Sequence, residues 1–258
     1  MKQLADIALY CELQGAGPNL VVLHPAGLHQ GFMKSLVHAA APSNRVLAVD
    51  LCGHGRSPDA PEDMTLAHQA LWVSEAMKRH GMEEATVLGL SLGGMVAQTL
   101  ALDFSEMVKN LILCGCTGGF DSALQPILLE RGLTAQRDGM QAIVAPTLQR
   151  WFTPAFMPHA EVLAVEQCLL KNHAPNWLAT WRAISNFNAL PRLNEIKVPT
   201  LVVAGDQDNA TPLAATETLT LSISGARRAV LAGAPHMMQI ESHALFNQTV
   251  LSFLNEKK

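Results

Sequence analysis

Charge is scarce in this sequence. Only 16% of its 258 residues are Asp, Glu, Lys or Arg, against about 25% in an average soluble domain, while 49% are apolar. That balance excludes a disordered chain. The 18 basic and 22 acidic residues leave a net charge of −4, and no basic cluster exists to neutralise phosphates, so nucleic acid is not an expected partner. No apolar run approaches the roughly 18 residues of a membrane span, and Asp6 and Glu12 fall where a signal peptide would keep its apolar stretch. A soluble, cytoplasmic protein with no membrane partner is expected. Cysteine is also sparse. Cys11, Cys52, Cys114, Cys116 and Cys168 are odd in number, which suits free thiols in a reducing compartment better than a disulfide framework. Cys114 and Cys116, two apart in an apolar run, read as small core residues. Missing as well are G-x-x-x-x-G-K-[ST], a G-x-G-x-x-G that opens a helix, H-E-x-x-H and any paired cysteine-ligand motif. Neither a metal nor a cofactor is expected.

At about 150 residues per domain, the length points to one enlarged domain or a domain carrying an insertion. Short β-rich apolar runs alternate with segments of helical period, the pattern of an α/β fold with a mostly parallel sheet flanked by helices. Eight strands are expected: a pair around Leu4 to Leu13, then Leu20 to His24, Arg45 to Asp50, Ala85 to Leu90, Leu111 to Gly115, Thr200 to Gly205 and Arg228 to Leu231. Thr65 to His80 carries a helical stripe that stops at Gly81, and Thr211-Pro212 reads as a helix start with a hydroxyl cap and proline in the first helical position. Between Gly118 and Lys197 the alternation breaks. No β-rich run appears there, the helix-like segments are interrupted by Pro126, Pro146, Pro154, Pro158 and Pro175, and seven of the 13 aromatics are gathered. The expected organisation is an α/β core over 1–117 and 198–258 with a helical cap over 118–197. Its aromatics suit both the core of a small lobe and an apolar lid over a ligand.

The strongest local signal is Gly89-Leu90-Ser91-Leu92-Gly93. A buried strand precedes it and a helix follows, which is the strand–turn–helix setting of a nucleophile elbow. In that turn a serine is strained and points outward, while the helix N-terminus sets unpaired N–H groups beside its hydroxyl. Gly89 and Gly93 are required where neighbouring backbones approach too closely for a Cβ. Such a serine needs a base and an orienting carboxylate. Asp208 follows the strand ending at Gly205 and His236 follows the strand ending at Leu231, both at the sheet edge where open α/β sheets hold their ligands. Asp208 is preferred over Asp206, which adjoins the strand end and suits a turn cap; Asp121 is an outside candidate. The oxyanion would take the N–H of Leu92, after the nucleophile, and that of Ala26, because Pro25 has no N–H to give. His24 is expected to hold that loop. Trp151 and Phe187 are the expected pocket walls.

With these residues in the order Ser91, Asp208, His236, and with Asp50-Leu51-Cys52-Gly53-His54-Gly55-Arg56-Ser57, the chain resembles the α/β-hydrolase superfamily along nearly its whole length. Gly89 to Gln98, Leu111 to Thr117, the cap segment Arg150 to Phe156 and Val198 to Pro212 are similar to the 3-oxoadipate enol-lactone hydrolases. The resemblance implies hydrolysis of a small lactone that carries a carboxylate, during breakdown of aromatic compounds. Three positions depart from that pattern: His24-Pro25-Ala26-Gly27 stands for a Ser-Asn-Ser-Leu-Gly-like stretch, Cys52 for an arginine, and Ser185-Asn186 for an Arg-Asp pair late in the cap. The last removes the natural carboxylate clamp, for which Arg150 or Arg182 could substitute; without such a clamp a more apolar small lactone or carboxylic ester is the expected substrate. The alternatives are a hydrolase of carbon–carbon bonds in ring-cleavage products and a non-catalytic ligand-binding relative; a homodimer is left open.

Overall fold

The computed structural model describes residues 7–256. In chain order the elements are β1 (Cys11–Gln14), β2 (Asn19–Leu23), α1 (Lys34–Ala40), β3 (Arg45–Val49), α2 (Leu66–Arg79), β4 (Ala85–Leu90), α3 (Leu92–Asp103), β5 (Val108–Cys114), α4 (Gln125–Asp138), α5 (Gln141–Trp151), α6 (Ala160–Leu170), α7 (Ala174–Ser185), β6 (Thr200–Gly205), α8 (Leu213–Ser222), β7 (Arg227–Leu231), α9 (Met238–Glu241) and α10 (His243–Leu254). Among the described residues the sheet has seven strands, ordered β1-β3-β2-β4-β5-β6-β7, not eight. The expected N-terminal pair is a single strand: residues 7–10 are not in a strand, and Leu4 to Asp6 lie outside the described residues. Only β1 is antiparallel to its neighbour.

β4 and β6 are buried along their entire length and β2 along all but its first residue, as strands covered on both faces must be. The register aligns the strand ends into one rim. Leu23 pairs with Val49 and Gly89, Leu90 with Cys114, Cys114 with Val203, and Gly205 with Leu231. The chain reverses direction across the sheet between β2 and β4, so the crevice outside their C-terminal ends is where such a sheet binds ligand.

Thr65 caps α2 through a capping box with His68. Thr211 does not cap α8. The helix begins at Leu213 with Pro212 as its N-cap, because the Thr211 hydroxyl is committed to the Gly115 carbonyl at 2.9 Å. Four helices, α4 to α7, lie between β5 and β6, in the stretch expected to form the cap. Pro126 and Pro175 sit in the first turns of α4 and α7, where a missing N–H costs nothing, and Pro154 and Pro158 lie in the α5–α6 connection. The Trp177 indole N–H donates to the Arg131 carbonyl, 3.0 Å away, and meets Trp181 edge-on, so those aromatics form the lobe's own core. Gly119 pairs with Asn188 across the base of the cap, and the Ala189 N–H donates to the Gly118 carbonyl at 2.7 Å. All five cysteines are free.

Candidate active site

Ser91 is the sole residue between β4 and α3. Its φ of 54° makes it the one non-glycine with positive φ among the described residues, a costly conformation that surrounding contacts must hold. They do so from both sides: its N–H donates to the Cys114 carbonyl at 2.9 Å, and its carbonyl accepts from the Met95 N–H at 3.1 Å. A Cβ on Gly89 would fall 2.0 Å from the Gly93 carbonyl oxygen, and one on Gly93 2.3 Å from the Leu23 oxygen. Both glycines are steric requirements of the elbow.

His236 and Asp208 form a buried pair. Nδ1 lies 2.8 Å from Asp208 Oδ2, with side chains 2% and 1% exposed. A carboxylate can only accept, so Nδ1 carries the proton and Nε2 is left as the acceptor. The other carboxylate oxygen, Oδ1, takes the N–H groups of Ala210 at 2.8 Å and Thr211 at 2.7 Å. Beneath the pair lies Gly115, where a methyl group would sit 3.3 Å from Asp208 Oδ2 and 3.4 Å from His236 Nδ1. Gly115 follows Cys114, whose carbonyl holds the Ser91 N–H. Serine, acid and histidine thus gather around the end of β5. Asp206 is spent on a turn, accepting the Gly233 N–H at 2.7 Å, and Asp121 caps a short 3₁₀ turn through the Ala123 N–H.

Across the crevice, Pro25 to Leu28 form a turn closed by a long 3.4 Å bond. A weak closure leaves the turn to be fixed from outside. His24 Nδ1 donates to the Pro25 carbonyl at 2.8 Å, and Nε2 accepts the Leu51 N–H at 2.9 Å, which specifies one neutral tautomer. Burial presses the His24 imidazole down to about 4. His54, whose ring centroid is 5.1 Å away, is pressed to about 3 by burial and by His24. Leu92 is the first residue of α3, so its N–H has no acceptor one turn back. Asp50 anchors the loop after β3, accepting the Gln30 and Arg56 N–H groups at 2.8 Å each.

The cap brings Trp151 to the histidine: its ring centroid lies 6.3 Å from that of His236, and its carbonyl accepts the Met237 N–H at 3.0 Å. Phe187 lines a surface cleft with Thr99, Leu102 and Arg182; Thr99 and Leu102 lie eight and eleven residues along α3 from Ser91, about 12 to 17 Å at 1.5 Å per residue. Arg182 is tied outward to the Glu62 carbonyl at 2.8 Å, and the Ser185 hydroxyl and Asn186 amide fold back onto the Arg182 carbonyl. Arg150 remains. It is half-buried, and burial lowers its affinity for its proton. Arg131, overlooked in the sequence, is pressed to about 10 by burial and by Arg150, and its guanidinium lies over the Trp181 ring at 4.6 Å. Neither arginine has a carboxylate partner among the described residues. No local pattern marks Arg131; only the packing of α4 on α7 places it.

A family model described as the alpha/beta hydrolase fold matches residues 19–243. The chain belongs to this family. Similar to this α/β-hydrolase is RutD from Azorhizobium caulinodans, named as a candidate carbamate hydrolase, 27% identical over 97% of this chain and 96% of the relative. A pimeloyl-[acyl-carrier protein] methyl ester esterase from Vibrio atlanticus is 29% identical over 95% of this chain and 97% of its own. The crystal structure of the enol-lactonase from Burkholderia xenovorans LB400 superposes with a TM-score of 0.92 at 27% identity, covering 96% of both chains. The resemblance to enol-lactonases thus holds in sequence and in three dimensions. Among the described residues no helix is long and apolar enough to cross a membrane.

Proposed function

We propose that this α/β-hydrolase is a serine hydrolase that cleaves a small carboxylic ester or lactone through an acyl-enzyme. The observation that carries the reading is the buried 2.8 Å Asp208–His236 pair gathered around the same strand end as the strained Ser91. Ser91 Oγ attacks the carbonyl carbon while His236 Nε2 takes its proton, and Asp208 stabilises the imidazolium that forms. Negative charge on the carbonyl oxygen falls to the N–H groups of Ala26 and Leu92. The tetrahedral adduct collapses, the C–O bond breaks, and the leaving oxygen receives the proton from His236. Water then attacks the acyl-enzyme with His236 as base, releasing the acid and restoring Ser91.

The named relatives act on an ester, an enol-lactone or a carbamate by their titles, all carbonyl compounds that one triad of this type can open. Arg131 and Arg150 favour an acid-bearing substrate among these, because two partly buried cations without a carboxylate partner are stabilised by an arriving anion. Trp151 would form the wall beside the base. A fluorophosphonate probe and a series of p-nitrophenyl esters test the reading. Labelling is expected at Ser91 alone, together with ester turnover that Ser91→Ala abolishes; turnover retained by that variant overturns the nucleophile.

A further inference from the structure

Four cap residues converge on Gly27 in the oxyanion-side turn. The Asn172 amide donates to the Gly27 carbonyl at 2.8 Å, using its second hydrogen on the Cys168 carbonyl at 2.9 Å, and the Cys168 thiol approaches the same Gly27 oxygen at 3.5 Å. Gly27 has φ +72°, and a Cβ on it would lie 2.7 Å from both Leu169 Cδ2 and Trp177 Cζ3. The cap therefore rests directly on the glycine next to Ala26. On the opposite side His24 holds the Pro25 carbonyl, so the peptide that carries the Ala26 N–H is gripped from the core and the Gly27–Leu28 peptide, at the far end of the same turn, is gripped from the cap. The turn's own 3.4 Å closure is too long to fix the direction of the Ala26 N–H without them.

We infer that Asn172 is a positioning residue that completes the oxyanion hole when the cap is seated, by anchoring the Gly27 carbonyl and thereby aiming the Ala26 N–H. This rests on the serine-hydrolase reading above. Oxyanion stabilisation depends on donors fixed in advance of the reaction, and a displacement of about 1 Å far from the chemistry can cost on the order of 100-fold. Asn172 is half-buried on the wall of an open cleft of about 410 Å³, so trimming it leaves no closed cavity.

Asn172→Ala is expected to lower kcat by about 10- to 100-fold, below the roughly 10²- to 10³-fold cost of deleting a donor outright. KM, the pH profile and the melting temperature should stay near those of the parent. The second-order rate of fluorophosphonate labelling at Ser91 should fall by the same factor, because the phosphonyl oxygen uses the same hole. Asn172→Asp, equal in size but unable to donate, should lose at least as much; it also serves if the alanine variant does not fold. Variants that fold, label and turn over like the parent overturn the inference, as does a loss of kcat that only tracks a loss of stability. If the parent itself does not label at Ser91, the serine-hydrolase reading fails instead.

Discussion

His24 donates Nδ1–H to the carbonyl of Pro25 at 2.8 Å, and that carbonyl shares a peptide plane with the Ala26 N–H. Holding one end of a planar group fixes the other. His24→Ala should therefore lower kcat by about 10- to 100-fold through a misaimed donor. It should also cost about 1 to 3 kcal/mol of stability, because the Leu51 N–H loses its buried acceptor. Steady-state kinetics beside urea unfolding separates the two effects. An unchanged kcat in a destabilised variant would reduce His24 to a packing role.

Acid acts on His24 together with the His54 ring beside it. The folded-state values of about 4 for His24 and about 3 for His54 lie below the ordinary histidine value of about 6.5. As pH falls below about 6.5 the unfolded chain binds protons that the folded chain refuses. Stability therefore declines by up to about 1.4 kcal/mol per pH unit for each histidine, and the decline ends below the folded values. The urea midpoint should drop steadily between about pH 6.5 and about pH 4, and His24→Gln should flatten part of that slope. A midpoint that does not move over this range would mean the two rings are protonated in the fold.

Ser91 combines a strained backbone with the proposed nucleophile, and two substitutions part them. Both Ser91→Ala and Ser91→Gly remove the hydroxyl and should reduce turnover by on the order of 10⁴-fold or more. Only glycine relieves the φ of 54°, which costs about 1 kcal/mol or more. The glycine variant should melt about 2 to 4 °C above the alanine variant, as differential scanning fluorimetry would register. Equal melting temperatures would show that the elbow stores no strain at Ser91.

How far the sequence reveals this site depends on whether each position is set locally. Ser91 follows directly on the end of β4, and Asp208 and His236 lie three and five residues beyond the ends of β6 and β7; strand ends are legible from apolar runs, and the gathering of these loops then follows from a parallel register. The choice of Asp208 over Asp206 was legible from turn chemistry, since the residue at the strand end does tie the Gly233 turn. Thr211 misled because a local capping signal competed with a long-range bond to Gly115 that has no trace in the neighbouring residues. Phe187 is not assigned by its neighbours either: cap aromatics are needed both for the lobe's packing and for a pocket, and composition does not divide them. Arg131 and Asn172 carry no local pattern at all. Their surroundings are made by the crossing of α4 on α7 and by the seating of α6 on the Gly27 turn.

The Asp208 carboxylate is bound on both oxygens, by two backbone N–H groups and by His236. Asp208→Asn keeps an acceptor for the backbone pair but turns an N–H toward Nδ1. The imidazole must then carry its proton on Nε2, where it cannot accept from Ser91. A loss of about 10⁴-fold in kcat is expected, with little change in melting temperature. A variant within about 10-fold of the parent would leave Asp208 without an orienting role.

Arg150 decides whether the substrate carries an acid. It precedes Trp151, whose ring lies beside His236, and among the described residues it has no carboxylate partner. Arg150→Met keeps the stem's apolar contacts and removes the charge. If Arg150 receives a substrate carboxylate, kcat/KM for an acid-bearing ester should fall by about 10- to 100-fold, the value of one charge-assisted contact. The neutral diester of the same acid should then be hydrolysed equally well by parent and variant. Stability should hold or rise, since a partly buried cation without an anion is a cost to the fold. Equal losses on both substrates would instead assign Arg150 to the support of Trp151, and the pocket would be one for apolar acyl groups.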